Sequence, residues 1–387
     1  MSMASEVALV TGGCGCVGFH VVKALLNDPM FSSIHVFSRN PTINQQSGVE
    51  YHVGDLTSET DVACAFSVIQ PTVVFHIASP NTNANGASST LFYQVNVDGT
   101  KRLLAHAKKM PSTKAFIYTS SSSVSKEPFH FNDELRPLAD IGSPTDFNYY
   151  TTTKVLADEM VLRANGEGGL STCCLRLATV YGECDNQMIP GLLKVLHEQR
   201  HKIQIGENKV LMDVLSATNA ARAHILSCQA LLKNPEKDNL PKVDGEAFFI
   251  TDGRPLPFWT FSRMVWEEAG DTTKIEEIRI LPAWLVYGLA VIAEWLYWIF
   301  TWGQKTPKLR SHIIRYVTME KTFSIEKARE LLGYHPVDDR DENIKKGVAW
   351  CLSQNTGSNM KQVSTAIPNI YLHVRNSNKS RRDCRSQ

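Results

Sequence analysis

Apolar positions fall into short unbroken runs separated by segments of helical period. Val7–Val10 is such a run, and it stops at Thr11-Gly12-Gly13. Val17, Val21, Val22, Leu25 and Leu26 then recur at helical spacing. The start of the chain therefore reads as strand, glycine turn, helix. Ser33–Phe37 and Val49–Val53 predict a second and third strand, the third followed by Gly54-Asp55-Leu56. Residues 60–69 predict a helix, 72–78 (TVVFHIA) a fourth strand and Asn96–Ala107 another helix. Residues 115–120 (AFIYTS), 172–182 (TCCLRLATVYG) and 246–253 (EAFFITDG) complete the strands. Unbroken apolar strands alternating with helices belong to parallel sheets covered on both faces. The expected fold class is α/β, a Rossmann-type doubly wound parallel sheet over 6–182 with a smaller C-terminal substrate domain. That second region, 183–352, is less regular and returns in part to the core. Residues 353–387 are polar and end in Lys379, Arg381, Arg382 and Arg385, which predicts a disordered tail.

One run departs from the pattern. Leu281–Phe300 is almost wholly apolar, rich in tryptophan, with Glu294 as its one charge. Its length matches a membrane span, and Lys305, Lys308 and Arg310 behind it suit a cytosolic interface. An internal glutamate costs a spanning helix a few kcal/mol, which favours a segment dipping into the membrane with tryptophans at headgroup level. A span, or packing within the substrate domain or a dimer interface, remains open on the pattern alone.

Composition narrows the function classes. The chain has 387 residues, 43% of them hydrophobic, enough to build a core without disulfides or metals. The net charge of +1 gives no global field for nucleic acid. Nine scattered cysteines, an odd number without regular spacing, suit a reduced compartment. The opening MSMASEVALV has no basic and apolar leader pattern.

Gly12, Gly15 and Gly18 sit after a strand and at the opening of a helix, where a dinucleotide fingerprint belongs. Glycines permit positive φ and let the backbone approach a pyrophosphate closely. The helix N-terminus then supplies free N–H groups. Cys14 and Cys16 form C-x-C with no second pair at zinc-site spacing, so no metal is expected. After the second strand an NAD site usually carries an acidic residue for the ribose 2′-hydroxyl. This chain offers Ser38 and Arg39; an arginine suits a 2′-phosphate, so the cofactor is NADP or NAD with NADP favoured. Asp55 is placed to accept from an adenine amino group.

Tyr150-Thr-Thr-Thr-Lys154 puts a phenol and an ammonium one turn apart on a helix. A tyrosine with its ordinary pKa of about 10 is a poor base, and a neighbouring ammonium lowers that value. Tyr150 then takes the proton of a substrate alcohol while hydride leaves the adjacent carbon. Lys154 also holds the nicotinamide ribose. Tyr149 has no lysine four residues on. Upstream, a hydroxyl from YTSSSSV, at the carboxyl end of the fifth strand, can orient the substrate oxygen.

These residues resemble the extended short-chain dehydrogenase/reductase superfamily, and within it the 3β-hydroxysteroid dehydrogenase family. VTGGCGCVG, VFHIASP, VNVDGTKRLL, YTSSSSV, YYTTTK and LRLATVYG match in order, and KARELLGYHP (327–336) matches the usual ending. Residues 245–266 are similar to the sterol-decarboxylating branch. Alignment on Val124 selects Ser121 as the third catalytic residue beside Tyr150 and Lys154. On the matching positions, the resemblance implies cofactor contacts from Gly12, Gly15, Cys16, Val17, Gly18, Arg39, Asp55, Ala78, Ser79, Tyr150 and Lys154. It implies oxidation of the 3β-hydroxyl of a 4α-carboxysterol or related triterpenoid, then loss of CO2 from the β-keto acid. It also implies the cytosolic face of the endoplasmic reticulum membrane, and a homodimer. The missing ribose acid, LRLATVYGECD and MDVLSATNAARAH depart from the family pattern near the pocket, which leaves room for a modified sterol or another triterpenoid. A non-decarboxylating dehydrogenase, a ketone reductase and an idle cofactor-binding scaffold are the other readings.

Overall fold

The computed structural model describes residues 5–81, 88–141, 149–233, 241–302, 307 and 309–356. Seven strands form one parallel sheet: β1 (Glu6–Thr11), β2 (Phe31–Ser38), β3 (Glu50–Val53), β4 (Val73–His76), β5 (Ala115–Ser121), β6 (Ser171–Leu177) and β7 (Glu246–Ile250). Their spatial order is β7-β6-β5-β4-β1-β2-β3, and each of the expected apolar runs contributes one of them. Helices α1 (Cys16–Leu26) and α5 (Ala217–Leu232) cover one face. Helices α2 (Glu59–Ile69), α3 (Thr100–Lys109) and α4 (Tyr149–Arg163) cover the other. The sheet interior is saturated: Ala8, Leu9, Val10, Val73, Val74 and Phe75 have no exposed surface, which is why these strands show no polar alternation. The order reverses at β1, which pairs with both β2 and β4. The crevice at such a switch point is where doubly wound sheets take ligands.

Three expected elements differ in detail. The run 172–182 is two strands: Ala178 donates to Ile250 O at 3.0 Å, and Thr179–Tyr181 leaves the sheet to pair in parallel with Val214–Ser216. The helix expected from Asn96 begins as a wider π-type turn over Tyr93–Gly99, and the α-helix proper starts at Thr100. The last described helix runs from Arg340 to Thr356; the expected tail from 357 lies outside the described residues.

The C-terminal region interleaves with the core. A second core packs Trp259, Phe261, Val265 and Trp266 against Ile189, Leu192, Ile344 and Val348. A four-stranded sheet joins Phe129–Asn132, from the first half of the chain, to Lys321–Phe323, Leu211–Met212 and Leu256–Pro257. Thus residues just past the end of β5 are tied to strands from the second half. The apolar run forms α6 (Ala283–Thr301), packed against α7 (Ser311–Thr318).

Candidate active site

The glycine turn closes on itself, Gly15 donating to Gly12 O at 3.0 Å. Gly12 has φ +73°, and a Cβ there would lie 2.8 Å from the backbone of Ala78. A side chain would therefore push β1 and β4 apart. Gly15 caps α1 with no side-chain acceptor, and no acidic residue occupies its first turn, so its N–H groups and partial positive charge stay available to an anion. In front of them is a cleft of about 220 Å³. Gly12, Cys14 and Gly15 line it with Phe37, Ser38 and Arg39 from the end of β2. Gly54, Asp55 and Leu56 follow β3, and Ala78, Ser79 and Pro80 follow β4. Glycine backbone, an open helix terminus and an arginine, without a carboxylate at the turn, form a donor set that fits a dinucleotide.

A buried network fixes the far wall of the cleft. Thr100 Oγ1 donates to Asn96 O (2.5 Å), so it accepts from His76 Nε2 (2.8 Å). His76 Nδ1 then accepts from Thr11 Oγ1 (2.8 Å), which itself receives Ile77 N–H and Ala78 N–H. Burial first, then the charge of Lys154, pushes the pKa of His76 down to about 3, so the ring is a neutral brace. Asn96, 1% exposed, accepts from Ser79 Oγ (3.0 Å) and donates to Thr153 Oγ1 (3.0 Å), which donates to Tyr150 O (3.0 Å). Cleft wall and catalytic helix are thereby joined.

Lys154 and the neighbouring serines divide their tasks. Lys154 Nζ is buried, donates to Thr119 O at 2.7 Å and lies 4.8 Å from the centre of the Tyr118 ring. Burial pulls its pKa down to about 7, against the opposing charge of Asp158. Ser120 Oγ donates to Asp158 (2.6 Å), whose carboxylate is also held by Arg176 at 2.8 and 3.1 Å. Ser120 is thus committed to the core. Ser121, one residue on, faces the other way, with Ser123 N–H donating to its Oγ at 3.2 Å. Its hydroxyl is also hydrogen-bonded to Ser123 Oγ at 3.0 Å. Tyr149 is 49% exposed, whereas Tyr150 is half-buried with its ring edge on Phe92 at 6.1 Å.

One electrostatic expectation is corrected. Burial raises the pKa of Tyr150, and the group that pulls it down is Ser121 rather than Lys154. The lysine donates to Thr119 O and sits over the Tyr118 ring.

The geometry thus unites Ser121, Tyr150 and Lys154, and gathers Gly12, Gly15, Arg39, Asp55, Ala78 and Ser79 in one cleft. Arg39 is exposed at the rim, and Asp55 Oδ1 accepts Thr57 N–H at 2.8 Å. Cys16, Val17 and Gly18 form the first turn of α1, behind the cleft lining; Cys16 Sγ donates to Glu183 O at 3.5 Å. Asn96, Thr153 and Asp158 were not singled out from the sequence. Asp158 carried a signal: it follows Lys154 by one helical turn, on the same face.

The family model for the 3-beta hydroxysteroid dehydrogenase/isomerase family matches residues 9–279. The decarboxylating sterol-4-alpha-carboxylate 3-dehydrogenase of Gibberella zeae is 35% identical over 77% of this chain and 96% of its own length. That of Schizosaccharomyces pombe is 32% identical over 87% of this chain and 95% of its own. Among solved structures, the Bordetella bronchiseptica enzyme WbmH in complex with NAD+ aligns with a TM-score of 0.66 at 15% identity, covering 90% of this chain and 99% of that one; this likeness concerns the fold.

Proposed function

Because the chain belongs to the 3-beta hydroxysteroid dehydrogenase/isomerase family, we propose that it oxidises the 3β-hydroxyl of a 4α-carboxysterol or related triterpenoid to the 3-ketone and releases the C4 carboxyl as CO2. The observation that carries the chemistry is the placement of Ser121 at the carboxyl end of β5, as the group that lowers the pKa of Tyr150, with Tyr150 one helical turn before the buried Lys154. The two fungal relatives carry the choice of substrate. A nicotinamide cofactor, NADP or NAD, supplies the hydride acceptor when bound. Gly12, Gly15, Ala78 and Ser79 hold its diphosphate half, with Cys16, Val17 and Gly18 shaping the helix start. Arg39 and Asp55 flank its adenosine, and Lys154 anchors the nicotinamide ribose.

Within this frame the chain's own residues do three things. Ser121 holds the substrate oxygen. Tyr150 takes its proton as the C–H bond at C3 breaks. In the resulting β-keto acid the C4–carboxyl bond breaks, its electron pair passing toward the C3 oxygen as CO2 departs. The Ser121 and Tyr150 hydroxyls stabilise that enolate oxygen, and protonation at C4 completes the ketone.

The test is product analysis by mass spectrometry, with a 4α-carboxysterol and each of NAD+ and NADP+. A decarboxylated 3-ketone is expected; a 3-ketone that keeps its carboxyl would identify a plain dehydrogenase. In the same assay Arg39→Ser shifts the NADP+/NAD+ preference in kcat/KM toward NAD+ by about tenfold or more, the worth of one charge-assisted hydrogen bond. An unchanged ratio would show that Arg39 does not read the 2′-phosphate.

The reading extends to a membrane surface, that of the endoplasmic reticulum on its cytosolic side. Among the described residues one stripe of α6 is covered: Val286 and Ala290 pack on Ile314. Glu294, one turn on, accepts Ser311 N–H at 2.9 Å and Ser311 Oγ at 2.9 and 3.1 Å. The charge that weighed against insertion therefore faces α7. Trp284, Trp295, Trp298 and Phe300 are 60–78% exposed. Because α7 lies against the middle of α6, a spanning α6 would draw Ser311 and His312 into the bilayer, so an in-plane helix is favoured. Arg310 is buried beside it rather than facing an interface; Lys305 and Lys308 lie outside the described residues. Replacing Trp295, Trp298 and Phe300 with serine lowers sedimentation with phosphatidylcholine vesicles at least about a hundredfold, on about 1.5–3 kcal/mol per large apolar side chain. Unchanged sedimentation, or a dimer falling to monomer instead, would assign the face to a protein contact.

A further inference from the structure

A second buried lysine lies outside the Tyr150–Lys154 pair. Lys321 opens the strand Lys321–Phe323, opposite Phe129 on one side and Met212 on the other. Its Nζ is shielded from solvent and has no hydrogen-bond partner among the described residues. What it does touch is the face of Tyr316, 3.0 Å from the ring centre. Burial pushes its pKa down to about 7, and Glu127 is the one group that opposes this. The Glu127 carboxylate is itself bound by Arg315. A cation this deep, with a ring face and no acceptor, is costly unless something anionic arrives.

Two links tie it to the end of the sheet that carries the Ser121–Tyr150 site. Tyr316 Oη bonds Thr179 Oγ1 at 3.3 Å. Thr179 is two residues beyond Leu177, which lies directly opposite Ser121 in the sheet. Along its own strand, Lys321 shares a face with Phe323, which stacks on Phe249 at 4.9 Å. Phe249 lies opposite Arg176, the partner of the Asp158 carboxylate that holds Ser120. Both links lead to the carboxyl ends of β5 and β6, the end of the sheet at which Ser121 stands.

Resting on the function proposed above, we propose that Lys321 is the residue that takes the C4 carboxylate of the substrate, with the Tyr316 ring forming the floor of that subsite. The substrate then meets the protein at two adjacent polar groups, the C3 oxygen on Ser121 and Tyr150 and the C4 carboxylate on Lys321. When the C4–carboxyl bond breaks, its electrons remain on the sterol and neutral CO2 leaves. The ammonium loses its partner at that moment, so the same residue that admits the acid does not retain the ketone.

The experiment measures KM and kcat of the full-length enzyme for a 4α-carboxy-3β-hydroxysterol. Alongside, the inhibition constant of the matching 4α-methyl sterol is measured, in wild type, Lys321→Met, Lys321→Gln and Lys321→Arg. Expected is a 10- to 100-fold rise in KM for the acid in the two neutral variants, the worth of one charged hydrogen bond. Partial recovery is expected in Lys321→Arg, with inhibition by the 4α-methyl sterol within about threefold of wild type throughout. An unchanged KM, or an equal loss toward acid and methyl sterol, overturns the assignment. If one neutral variant does not fold, the other and Lys321→Arg decide. A wild type that does not oxidise the acid at all defeats the function itself, which is a separate outcome.

Discussion

Tyr150→Phe is expected to turn over about a hundred to ten thousand times more slowly than wild type, the range of one positioned acid–base group, without loss of fold or cofactor affinity. The group that lowers the pKa of the Tyr150 hydroxyl is Ser121, which is itself bonded to Ser123. The ring's edge contact with Phe92 survives the change, and the helix stays braced through Thr153, which donates to the Tyr150 backbone carbonyl rather than to the side chain. The loss thus falls on kcat, because the alcohol proton has nowhere to go. Steady-state kinetics together with a thermal melt check this. A variant within tenfold of wild-type kcat would end the proposed mechanism. One that melts well below the wild type would show that the hydroxyl is structural. Ser121→Ala should lose less, since Tyr150 remains to accept the proton.

Much of the fold could be read from the sequence because the central strands are buried on both faces, so apolar runs and strands coincide. The glycine turn and Tyr150–Lys154 were legible for a related reason: backbone approach and a one-turn spacing are local demands. What escaped is non-local. TCCLRLATVYG has no proline or glycine at Ala178 to mark its break, because both halves continue as paired strands, one with β7 and the other with Val214–Ser216. The choice between Ser120 and Ser121 depends on a carboxylate 38 positions away in the chain. The direction of the Tyr150 shift depends on burial, which four-residue spacing does not determine. The apolar run was the most ambiguous stretch; its length alone could not show that Val286, Ala290 and Glu294 form one covered stripe.

The glycine turn yields the second large effect, through a contrast between two glycines three residues apart. A Cβ at Gly18 would stand 2.1 Å from Gly12 O and 2.7 Å from Gly13 Cα. Both are backbone atoms of the turn itself, so no side chain can swing aside. The helix must lift away from the loop whose carbonyl it abuts, and the N–H groups meant for the diphosphate move with it. At Gly15 the nearest contact would be Gly12 O at 3.4 Å, an ordinary separation with no positive φ to forbid it. Overpacking commonly costs about 1–3 kcal/mol, and a clash against backbone belongs at the upper end. Gly18→Ala is therefore expected to weaken NADP+ or NAD+ binding by about a hundredfold and to lower the melting temperature. Gly15→Ala should melt close to wild type, and its cofactor affinity should fall by less than about tenfold. Fluorescence titration with each dinucleotide reads both. Equal losses at the two positions would mean that the turn is selected for flexibility along its whole length. A tolerated Gly18→Ala would mean that α1 does not abut the loop as closely as 2.1 Å requires, and that Gly12, pinned against Ala78, alone sets the cradle.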